Sequence, residues 1–62
     1  MGRTEKLFRQ WLFDQGGFTH LRTSAIASQC GVNERSLERV IHSLQRRGVL
    51  TGRDMANQLC LL

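Results

Sequence analysis

The chain has no proline and no tyrosine, only two cysteines and one tryptophan, and five acidic residues among its 62. Each shortage removes a class of protein. Two cysteines about thirty residues apart, with no Cys-x-x-Cys pair and no paired histidines, make neither a disulfide scaffold nor a zinc knuckle. No apolar run approaches the roughly 18 residues that a membrane-spanning helix needs. No glycine-rich phosphate loop is present, and no Ser/His/Asp, Cys/His or carboxylate pair is placed by the pattern. These gaps point to a protein that is not an enzyme and that takes no cofactor and no metal. The polar start Met1-Gly2-Arg3-Thr4 lacks the character of a signal peptide. At this length one domain is the most the chain can hold, and only roughly 60% of the unfolded surface can be buried. The apolar fraction of 40% nevertheless argues against disorder. A small binding module remains.

What is abundant is positive charge. Nine Lys and Arg against five Asp and Glu give a formal net charge of +4. All the basic residues but Lys6 are arginines, whose planar guanidinium matches phosphates and guanine edges bidentately.

Helical spacing appears first at Leu7, Phe8, Trp11 and Leu12, with Thr4 as expected N-cap, Glu5 near the positive end of the dipole and Gly16-Gly17 as the stop. This predicts a helix over about 4–15. Phe13 falls nearly opposite Trp11 and so off the apolar face. Phe18 to Arg22 reads as a connector with one short strand. A second helix is expected over about 24–30, capped by Thr23 or Ser24 and closed by Cys30-Gly31. Val32 and Asn33 form a tight turn. A third helix over about 34–47 carries Leu37, Val40, Ile41 and Leu44 on one stripe, with Asn33 as N-cap. Arg46 and Arg47 complement its C-terminal dipole, and Gly48 ends it. Val49-Leu50-Thr51 and Leu59-Cys60-Leu61-Leu62 read as two strands of a hairpin, with a polar turn over 53–57 between them. Cys30 and Cys60 read as buried thiols acting as small hydrophobes.

The stretch Ser24 to Ile41 resembles the helix-turn-helix of the winged helix-turn-helix domains. It has small residues early in its first helix, a glycine after it, an apolar residue in the turn and then a capped helix. Val40 to Leu50 is similar to the family's passage into its wing. The likeness covers essentially the whole chain. It implies a mainly α fold with a small β-hairpin, in the order α-β-α-α-β-β, over a single domain 1–62 that is either whole or part of a larger protein. It also implies that the third helix is a recognition helix (about 34–47) and the hairpin (about 49–62) a wing. Small bacterial regulators of fimbrial genes are similar in size and spacing. Arg39 to Gly48 also resembles a stretch of the Z-DNA-binding winged helices. Those domains carry Asn and Tyr where this chain has Glu38 and His42, and a Pro-Pro-x-Trp wing that it lacks.

The residues support the same expectation by themselves. With Leu37 at zero on a helical wheel, Arg35, Arg39, His42 and Arg46 fall within about 40° of the opposite direction. They form a line about three turns long on a face suited to the major groove of double-stranded DNA. Asn33, Ser36 and the first amides of that helix are placed to hold a flanking phosphate. Arg22 and Thr23 precede the second helix, whose start the resemblance to winged helix-turn-helix domains implies as a phosphate contact. Arg53 near the wing tip, with Asn57 and Gln58, is a candidate second contact. The bland alternative is a charged but merely solvated face. Glu34 and Glu38 weigh against a pure phosphate-binding face and point either to salt-bridge solvation or to base readout, since carboxylates can accept from cytosine N4.

The expected activity is sequence-dependent binding to double-stranded DNA, in transcription regulation, in a cytoplasmic nucleoid or a nucleus. A protein-interaction winged helix, and binding to RNA or a replication origin, are the alternatives. Phe13 and Leu61-Leu62 are the expected partner contacts, as a homodimer seam, a junction to a linked domain or a cap on the small core.

Overall fold

The computed structural model describes residues 2–52 and 58–62. Six elements follow the chain in the order helix–strand–helix–helix–strand–strand. They are α1 (Arg3–Asp14), β1 (Phe18–Thr19), α2 (Thr23–Cys30), α3 (Glu34–Arg46), β2 (Leu50–Gly52) and β3 (Leu59–Leu61). The fold is mainly helical, with a small antiparallel sheet, as the sequence pattern anticipates. The expected wing-tip residues Arg53 and Asn57 lie outside the described residues.

α3 forms where amphipathic spacing and a strong start signal coincide. Leu37, Ile41 and Leu44 are buried along one stripe, and Val40 packs half-buried beside them. The Asn33 side chain accepts hydrogen bonds from the backbone N–H of Arg35 (2.9 Å) and of Ser36 (3.2 Å), satisfying two donors that the helix cannot pair internally. The helix ends at Arg46, one residue earlier than expected, with Arg47 as its C-cap.

The other two starts differ from expectation. Thr4 is no cap: Lys6 N donates to Gly2 O at 3.2 Å, so the first helical turn already encloses Thr4 and Gly2 takes the cap position. Likewise Ile26 N donates to Arg22 O at 3.0 Å, which places Thr23 and Ser24 inside α2 and leaves its start without a side-chain cap. α2 ends at Gly31, whose φ of 71° is the left-handed conformation that lets Val32 N reach Ala27 O at 3.0 Å and turns the chain into α3.

The three helices and the sheet enclose one core. Phe8 and Leu12 from α1, Ile26 and Ala27 from α2, the α3 stripe, and Leu50 and Leu59 from the sheet are all buried. Trp11 packs at its edge and donates its indole N–H to Gln29 Oε1 at 3.1 Å, tying α1 to α2. Leu7, expected on the apolar face, is only half-buried, and the position one turn before Phe8 is filled by Glu5, which is 92% buried. Cys30 and Cys60 are free thiols and half-buried rather than enclosed. Burial raises the Cys30 thiol above its ordinary pKa, which disfavours the reactive thiolate.

β3 is the middle strand. It pairs antiparallel with β1 (Phe18 opposite Cys60, Thr19 opposite Leu59) and with β2 (Leu50 opposite Leu61, Thr51 opposite Cys60, Gly52 opposite Leu59). The hairpin passes close to itself at Gly52. Its φ is 134°, and a Cβ built there would overlap the Gln58 carbonyl, so only glycine fits.

Candidate nucleic-acid interface

The stripe that buries Leu37, Ile41 and Leu44 obliges the opposite side of α3 to face outward. Arg35, Arg39, His42 and Arg46 are all exposed. They border one shallow groove together with Glu38, Ser43 and Arg47. Among the described residues, none of Arg35, Arg39 and Arg46 has an ion-pair partner. Four arginines against one glutamate make this groove basic. Unpaired guanidinium groups spaced along one helix face repel one another, a cost that a polyanion would relieve.

A second depression connects this face to α2. Thr23 lines it together with Glu38, Ile41, His42 and Gln45. The start of α2, with Arg22 exposed just before it, therefore sits beside the middle of the α3 face. Asn33 and Ser36 belong to the N-terminal end of the same helix. The Asn33 carbonyl is committed to the cap, so the part of this side chain left to offer an anion is its amide nitrogen.

Arg47 and Glu5 escaped the sequence reading. Arg47 was expected only to complement the helix dipole. It instead donates from Nη2 to Glu5 Oε1 at 2.8 Å, while also lining the α3 groove. Arg9 Nη1 approaches the other carboxylate oxygen at 3.5 Å. Glu5 Oε2 is buried without a hydrogen bond, so the attraction of the two arginines has to offset much of its lost hydration. No local signal marks this pair, because its members are 42 residues apart.

The structure also brings together the expected partner-contact residues. Phe13, Leu61 and Leu62 line one groove with Val49, Lys6, Arg9 and Gln10. Phe13 is 70% exposed and Leu62 78%, while Leu61 and Val49 are half-buried and pack against the core.

Among the described residues no group of His, Cys, Asp and Glu could hold a metal ion, and no helix is long and apolar enough to cross a membrane. No protein family, curated protein or solved structure matches the chain.

Proposed function

We propose that the chain is a winged helix-turn-helix domain that binds double-stranded DNA, with α3 seated in the major groove and the β2–β3 hairpin as a second contact. The observation that carries this reading is the groove along α3. Arg35, Arg39 and Arg46 are exposed there without ion-pair partners among the described residues, beside His42 and the start of α2. A major groove about 12 Å wide admits a helix, and arginine is its commonest specific reader. Thr23 and Asn33 line depressions that share Glu38 with this groove, and with Arg22 and Ser36 they serve as backbone contacts that set the register of α3. Arg53 and Asn57 extend the contact through the wing. On this reading the domain is a binding module rather than an enzyme, and its role is transcription regulation in a nucleoid or nucleus.

The test is a fluorescence-anisotropy titration of the chain with mixed-sequence duplexes across a salt series, followed by selection of the preferred site from random duplex. Arg39→Ala and Arg35→Ala should each weaken binding by about 1–3 kcal/mol if they read bases, or lower the salt slope by about 1 if they hold phosphates. The melting curve should not change. Duplex RNA should compete poorly, because its major groove is too narrow for a helix. Unchanged affinity in both variants overturns the assignment.

A further inference from the structure

The outer face of α1 carries charges in the order that its own helix disfavours. Arg3 and Lys6 stand in the first turn, next to the positive end of the dipole, and Asp14 is the last residue, at the negative end. Each placement is mildly unfavourable within the domain. Neither Arg3 nor Lys6 has an ion pair among the described residues, and Asp14 only accepts a hydrogen bond from Gln10 Nε2 at 3.3 Å. At about 100° per residue, Arg3, Lys6, Gln10, Phe13 and Asp14 share a sector of about 100°. Phe13 stands over the apolar groove formed with Val49, Leu61 and Leu62, a recess of about 400 Å³. The face is thus basic at one end, acidic at the other and apolar beside both.

We infer that this face is occupied by a second copy of the chain, with the two α1 helices antiparallel across a two-fold axis at Gln10. Lys6 and Asp14 each lie four residues, about 6 Å, from that axis. The symmetry therefore brings Asp14 of each copy level with Lys6 of the other, with Arg3 one turn away. A two-fold contact makes each of these pairs twice. Phe13, three residues from the axis, covers apolar surface on the opposite copy. The charge order that costs stability within one chain becomes attractive between two. A foreign acidic segment would satisfy Lys6 but set its own acid against Asp14, whereas a second copy satisfies both ends. The inference is independent of DNA binding, since the arginine face of α3 takes no part in it.

Sedimentation equilibrium of the chain without DNA, over concentrations up to millimolar, tests it. The expected result is a reversible rise from 7.1 kDa to twice that mass. Phe13→Ala should weaken the dimer about tenfold or more, which is about 1.4 kcal/mol. Asp14→Lys and Lys6→Glu should each weaken it, and the two combined should restore it. Each charge change suits the α1 dipole better than the native residue, so loss of the fold does not explain a loss of association. A circular-dichroism melt of each variant checks this directly. A chain that stays at 7.1 kDa throughout overturns the inference and leaves the groove to a different occupant. So does a combined variant no better associated than the single ones.

Discussion

The two exposed helix faces on this small core handle charge in opposite ways. On α3, Arg35, Arg39 and Arg46 lie along one side without a partner among the described residues. On α1, Arg9 is drawn to Glu5 and Asp14 takes a hydrogen bond from Gln10, while Arg3 and Lys6 stand without ion pairs among the described residues and Phe13 adds exposed apolar surface. Both helices are amphipathic and pack on the same core, so solubility alone would be served by either pattern. The contrast therefore carries information that the net charge of +4 hides. Uncompensated charge of one sign suits a polyanion, and mixed charge with an aromatic suits a protein surface.

The change with the largest expected effect removes the contrast altogether. Leu44 is fully buried beneath α3, and Leu44→Ala should destabilise the domain by about 2–5 kcal/mol, read from urea unfolding. Both faces should then fail together, and a variant with normal stability would place the core elsewhere. Glu5→Gln is next. It removes the charge that holds Arg47 at the end of the α3 groove from the α1 side, and should cost about 1–3 kcal/mol in the same assay. Gln can still accept a hydrogen bond from Arg47 but lacks the charge, so the tie to α1 weakens. DNA affinity of the folded fraction should hold or rise, and a fall would mean that the tie positions Arg47 for binding. Asn33→Ala is the smallest and most local. It leaves the α1 face intact and removes the α3 cap, for a loss of about 1 kcal/mol, with faster amide exchange at Arg35 and Ser36 as its direct readout.

How much was legible beforehand follows from the range of each interaction. α3 could be read almost to the residue, because its stripe, its Asn33 cap and the glycine beyond it are all local signals. The basic face follows from the same periodicity once the stripe is placed. Thr4, Thr23 and Ser24 misled as caps because a side chain suited to capping says nothing about whether the preceding carbonyl has already begun the helix, as Gly2 and Arg22 show. The Glu5–Arg47 pair, the pairing of β1 with β3, and the meeting of Phe13 with Leu61 and Leu62 depend on how distant segments return to one another. Helical spacing marked Phe13 as off the core. It gave no sign that the groove beside it would be completed from the other end of the chain.

The place of β3 between β1 and β2 also constrains the order of synthesis. A chain grows from its N-terminus, so all three helices and both outer strands emerge before the strand that joins them. Until residues 59–61 are available, β1 and β2 have no hydrogen-bonding neighbour and the core lacks Leu59. The nascent protein must therefore wait, with open strand edges and an unfilled interior, for a segment of three residues to close it. A released chain truncated after residue 58 should be loosely packed and protease-sensitive, and restoring residues 59–62 should protect it abruptly.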